Sequence, residues 1–200
     1  VATHAVPGGG IPVIGEDGVQ TGELSAGHLI EFGHRSIAII LGEWDGVTES
    51  SRLQGNLSVL REARVDMRNE HIESGAWTIE GGYQAMTRLL AREVPFTGII
   101  AHHDHMAMGA IRALHDAGLR VPADVSVVGC DDVDFARFTD PPLTTVRISF
   151  ESTGILAVRT LLRRIDGDES VPDRVVLPCS LVIRESTGPV KSTPALRSSR

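Results

Sequence analysis

Two short runs hold the side chains best equipped for chemistry. His102-His103-Asp104-His105 packs imidazoles and a carboxylate together, and Asp131-Asp132 is followed closely by Asp134. Imidazoles and carboxylates are good Zn²⁺ ligands, and the three aspartates form a set able to hold Mg²⁺. A carboxylate ending a buried strand can equally accept two hydroxyls of a polar ligand. Adjacent residues on a strand point to opposite faces, so the histidine run cannot aim all its ligands at one ion. No GxSxG elbow, no Gly-Lys-Ser/Thr phosphate loop, no HExxH and no CxxC occurs. The expectation is binding without catalysis, metal or cofactor, and a metal-dependent enzyme is the lesser reading.

Both runs must be carried by strands. Residues 97–101 are a short apolar run, after which Met106, Gly109, Ala110, Ala113, Leu114 and Ala117 recur at helical spacing, with Gly118 as the stop. Residues 126–130 are a second apolar run, suited to a strand covered on both faces. The result is a βαβ unit, and ligands of such sheets collect beyond the carboxyl ends of the strands, where both polar runs lie. Earlier in the chain, Gly22, Ala26, Leu29 and Ile30 predict a helix, 37–41 a central strand, Leu53, Leu57 and Leu60 a helix capped by Thr48, and Gly82, Met86 and Leu89 another. Later, Gly154, Val158, Leu161, Leu162 and Ile165 predict a helix, with short strands at 175–177 and 181–183. The fold class is α/β with a doubly wound parallel sheet.

With 200 residues, 42% of them hydrophobic, the chain can build one sizeable core. Its net charge of -7 argues against this stretch holding a nucleic-acid backbone unaided. There is no apolar run of membrane-spanning length and no secretory start, so a cytoplasmic protein making no membrane contact is expected. Cys130 and Cys179 read as reduced thiols.

The residues Asp104, Met106, Ala107 and Gly109, then VPADVSVVGCDD over 121–132, then PLTTV over 142–146 resemble the effector-binding core of the LacI/GalR family of bacterial transcription regulators. His28-Leu29-Ile30, residues 33–38, and Ser50, Arg52 and Gly55 extend the likeness. The resemblance implies a periplasmic-binding-protein-like (type I) fold of two lobes, preceded by a helix-turn-helix domain not found in this chain. It implies that 19–143 and 174–187 form a nearly complete second lobe and that 144–172 belong to a first lobe otherwise missing; the Gly/Pro-rich start makes 1–18 linker or first-lobe remnant, and the Ser/Pro/Arg-rich end makes 188–200 a disordered tail. It also implies a homodimer, a small-molecule effector such as a sugar, and operator DNA reached only through the helix-turn-helix domain. A first-lobe helix without its lobe would bare an apolar face, which favours association.

For the site, the resemblance implies ligand contact by Arg52, whose guanidinium can bind a hydroxyl pair or a carboxylate in a fork, with Thr48 one turn earlier. It implies Asp131 as acceptor of sugar hydroxyls, Trp77 as an aromatic stacked on the ligand ring, and His103 as a contact where the family usually has Asn or Asp. Asp104 and Asp132 are expected to be structural, as a helix cap and a turn cap. The Asn56-Leu57-Ser58 sequon carries no weight on a helix. The alternative function is a solute-binding protein of a transport system, which shares the fold; the 121–132 and 142–146 motifs favour the regulator.

Overall fold

The structure, a computed structural model, describes residues 12–42 and 47–190, and of residues 47–49 the backbone alone. In chain order the elements are β1 (Val13–Glu16), α1 (Gly18–Glu31), β2 (Ile37–Leu41), α2 (Val47–Glu62), β3 (Ile72–Ser74), α3 (Ile79–Ala91), β4 (Gly98–Ala101), α4 (Asp104–Asp116), β5 (Ser126–Asp131), β6 (Thr144–Arg147), α5 (Phe150–Ile165), β7 (Arg174–Leu177) and β8 (Ser180–Val182). Most of the linker expected over 1–18 and of the tail expected over 188–200 lies outside the described residues.

Six strands form one sheet in the order β3-β2-β4-β5-β6-β8, parallel except for β8. Its central strands are apolar throughout because both faces are covered. Ala38, Ile40, Ile99, Ala101 and Val127 face α3 and α4 in one core. The alternate residues Ile37, Ile39, Leu41, Ile100 and Val128 share the other core with Ala26 and Leu29 of α1 and Leu60 of α2. The period of two along each strand thus builds two layers of helix. The doubly wound sheet and its helices match the expectation.

A separate pair, β1 and β7, runs parallel with Val13 opposite Arg174. Sheet membership separates the two strands that flank α5. Thr144–Arg147 ladders onto β5 in the large sheet, and Arg174–Leu177 leaves it for the small one. The reason lies in the pattern: Thr144, Thr145 and Val146 are buried on both faces, as a central strand demands, whereas β7 alternates exposed and half-buried residues.

Helix α5 packs near β1 and buries only Thr153 and Thr160. Its apolar stripe faces outward, with Val158 57% and Ile165 71% exposed. The beginning of the expected disordered tail is tied down. His34 Nε2 donates to the Gly188 carbonyl at 3.0 Å, and the Val190 amide donates to the Phe32 carbonyl. No helix among the described residues is long and apolar enough to cross a membrane. Both cysteines are free thiols.

Candidate functional site

Arg52 is set by the packing of α2 on α1. Gly22 and Gly55 let the two helices touch through their backbones: a Cβ on Gly22 would stand 2.0 Å from the Arg52 carbonyl oxygen, and one on Gly55 2.1 Å from that of Val19. Close approach of this kind requires glycine. The buried Arg52 side chain then reaches the carboxyl ends of the strands. Nη2 donates to Glu16 Oε1 at 3.0 Å and to Asp131 Oδ1 at 3.4 Å, and Nη1 donates to the His102 carbonyl.

The two polar runs meet here. At the end of β4 the neighbours His102 and His103 diverge, as strand alternation requires. Buried His102 donates from Nε2 to Asn56 Oδ1 at 2.7 Å, and Asn56 Nδ2 donates to the Gly22 carbonyl at 2.8 Å. His103 Nδ1 accepts the amide of His105 at 3.1 Å. Its hydrogen is therefore on Nε2, 3.0 Å from Asp131 Oδ2. Asp131 is contacted on both oxygens, Oδ1 by Arg52 and by the Cys130 thiol at 3.5 Å, and Oδ2 by His103. Among the described residues no three of His, Cys, Asp and Glu come together as a group able to hold a metal ion.

The chain leaves β5 in a conformation that L side chains rarely adopt, with φ 105° at Asp131 and 56° at Asp132. Such residues cost on the order of 1–3 kcal/mol each and persist where the surroundings enforce them. Asp132 is held by Arg147 Nε and Arg184 Nη2, both at 2.6 Å. Burial raises its pKa, but those two guanidiniums outweigh burial and leave it below the usual carboxylate range. Asp132 is structural as expected, through two ion pairs in place of a turn cap.

Asp104 is likewise structural but does not cap α4; the capping residue is His103. Asp104 begins the helix and points inward, wholly buried. Thr145 Oγ1 donates to its Oδ1 at 2.6 Å and the Val133 amide to its Oδ2 at 2.9 Å. Burial pushes its pKa up to about 7 despite these bonds.

Trp77 occupies the turn between β3 and α3, half-buried against the core, with φ 62°. A Cβ on Gly42, just past β2, would meet its indole at 2.0 Å, so that glycine seats the ring. The indole lies edge-on to His103, with centroids 6.0 Å apart. The structure thus brings Arg52, Asp131, His103 and Trp77 to one end of the sheet. The Thr48 side chain lies outside the described residues; α2 begins at Val47, so Thr48 is inside the helix and not its cap.

Two residues of the cluster escaped sequence reasoning. Glu16 lies in none of the motifs, yet it ends β1 and faces Arg52. Asn56 appeared only as a sequon, yet it is fully buried and joins α1, α2 and β4. An amide on the apolar stripe of Leu53, Leu57 and Leu60 was the available signal, because a buried amide requires partners.

A family model described as periplasmic binding protein-like domain matches residues 26–187. The HTH-type transcriptional repressor PurR of Haemophilus influenzae (strain PittEE) is 40% identical over 183 residues, covering 90% of this chain and 54% of the relative. Two solved structures share the fold and part of the sequence. A complex of the transcriptional regulator CelR with cellobiose superposes with TM-score 0.86 at 37% identity, over 91% of this chain and 56% of that one. The Lac repressor dimer bound to operator and the anti-inducer ONPF gives 0.85 at 31%, over 92% and 64%. The chain spans about half the length of the curated relatives it matches.

Proposed function

The chain belongs to the LacI/GalR family of transcriptional regulators, within the periplasmic-binding-protein-like domain, and on that premise we propose that it is the effector-binding and dimerisation core. A small polar ligand, of the sugar class, binds at the carboxyl ends of β4 and β5. It shifts the protein between DNA-competent and incompetent states, which requires different affinities for the two. DNA is held by a helix-turn-helix domain outside these residues. The role is binding, in the cytoplasm, and not catalysis.

The observation that carries this reading is the convergence of Arg52, Asp131 and His103 from three elements, with Trp77 edge-on at the rim. Carboxylate oxygens and an imidazole are partners for ligand hydroxyls, and an indole is a platform for a ring. His103 and Trp77 are the more open members, so a ligand meets them first.

The second copy docks on the far face of α4. Phe135 and Phe138 stand 68% and 75% exposed on the short turn Asp134–Phe138, and the chain runs on into Thr139 and Asp140, which line a cavity of roughly 200 Å³ together with Met108, Ile111, Arg112 and His115. Exposed aromatics next to a hollow of mixed apolar and charged lining suit an interface.

The test is operator binding by the intact protein, read by fluorescence anisotropy across a panel of sugars and nucleobases, with His103→Ala and Asp131→Asn beside the wild type. One ligand should change the DNA affinity, and both variants should weaken that ligand about tenfold or more. A ligand-responsive protein in which neither variant matters would refute the site. Arg52→Ala is the poorer probe, because it strands Glu16 and Asp131 without their buried cation.

A further inference from the structure

We infer that Glu16 is a specificity residue that restricts this site to uncharged ligands and rejects phosphorylated or carboxylated ones. The inference rests on the reading of the Arg52 cluster as the effector site and deepens it.

An arginine at the base of a polar pocket is ordinarily an anion receptor, since its fork matches phosphate or carboxylate. Here both terminal nitrogens are engaged by the protein. Nη1 donates to the His102 carbonyl, and Nη2 donates to Glu16 and Asp131. His103 turns no second donor toward Arg52: its Nδ1 accepts the His105 amide and its Nε2 faces Asp131 Oδ2. Arg147 and Arg184 bind Asp132 instead. Among the described residues, the Arg52 guanidinium therefore faces two carboxylates, those of Glu16 and Asp131.

Position sharpens the effect. The Arg52 side chain is 5% exposed and that of Glu16 14%, so the carboxylate is the more open of the pair. Glu16 also comes from β1, in the small sheet, and not from the large sheet that carries Asp131. An approaching anion meets like charge at low dielectric, where repulsion is several-fold stronger than in water. A hydroxyl-bearing neutral ligand meets carboxylate lone pairs that accept its hydrogens. Rejection by an unfavourable charge is the usual way a site gains specificity it cannot obtain from attraction alone.

Inorganic phosphate is the probe, titrated calorimetrically into the intact protein as wild type, Glu16→Gln and Glu16→Asp, each first shown to melt cooperatively. The wild type and Glu16→Asp should show no saturable binding at millimolar phosphate. Glu16→Gln, which keeps an acceptor for Arg52 and loses the charge, should bind at least about tenfold tighter. Saturable binding by the wild type equal to that of Glu16→Gln overturns the inference, as does a Glu16→Gln protein that gains nothing. Should Glu16→Gln not fold, the wild-type phosphate titration decides alone: saturable binding at millimolar phosphate overturns the inference, and its absence upholds it. If no neutral ligand alters DNA binding, the effector-site reading fails separately, because phosphate reports the charge at Arg52 and not the identity of an effector.

Discussion

Gly22 of α1 lies so close to Arg52 of α2 that a methyl group on it would stand 2.0 Å from the Arg52 carbonyl oxygen and 2.7 Å from the Asn56 amide nitrogen. The helix contact and the site are therefore one structure: α2 cannot move off α1 without carrying Arg52 and Asn56 away from Asp131 and His102.

Gly22→Ala should destabilise the protein by roughly 1–3 kcal/mol, because both atoms it meets belong to backbone. Gly27, on the same helix, has nothing within 4 Å of its would-be Cβ. Gly27→Ala should stabilise by about 0.5–1 kcal/mol through helix propensity. Urea denaturation of the two variants checks the pair, and equal effects would show that the helix contact is not tight.

Asp104 predicts a pH dependence. Its folded-state pKa of about 7 lies above the unfolded 3.8, so the folded state holds the extra proton between these values. The stability this gives is complete below about pH 4 and is lost as pH rises through 7, by about 4 kcal/mol at most. Asp104→Asn can accept the Val133 amide and donate to Thr145, and it does not ionise. The variant should gain on wild type steadily from pH 4 to pH 8, measured as the difference in urea midpoint. A constant difference would refute the assignment.

The buried histidines predict the opposite slope for the C-terminal strap. Burial is the chief cause that lowers the pKa of His28 and of His34. Their stabilising contribution is therefore present above pH 6.5 and lost as pH falls through the lower folded-state values. His28 bonds Thr187 at 2.8 Å and His34 bonds Gly188, so protection of the Gly188 and Val190 amides from hydrogen exchange should fall between pH 7 and pH 5. Amides protected equally at both values would show that the strap is held by its backbone bonds alone.

Phe138 is 75% exposed beside the cavity on α4. Phe138→Asp should convert a dimer to monomers at micromolar concentration without lowering the stability of the folded chain, as read by light scattering and thermal melting. An unchanged mass would place the interface elsewhere, with the bare stripe of α5 as the next surface to test.

The sequence alone determined the layered α/β fold. Short apolar runs at 37–41, 97–101 and 126–130 suit strands covered on both faces, and helical stripes between them supply the cover. The same periodicity put His103 and Asp131 at strand ends, where parallel sheets bind ligands, and the family resemblance added Arg52 and Trp77 as expectations. Tertiary structure decided the rest, because the deciding contacts join residues far apart in sequence. Glu16 meets Arg52 across 36 positions and His102 meets Asn56 across 46, distances at which no local pattern operates. The same holds for Asp104, which local spacing made a helix cap but Thr145, from β6, holds in the core. Sheet membership was decided in the same way: a strand belongs to the sheet whose ladder satisfies its backbone, and only the assembled chain showed that β6 pairs with β5 while β7 pairs with β1.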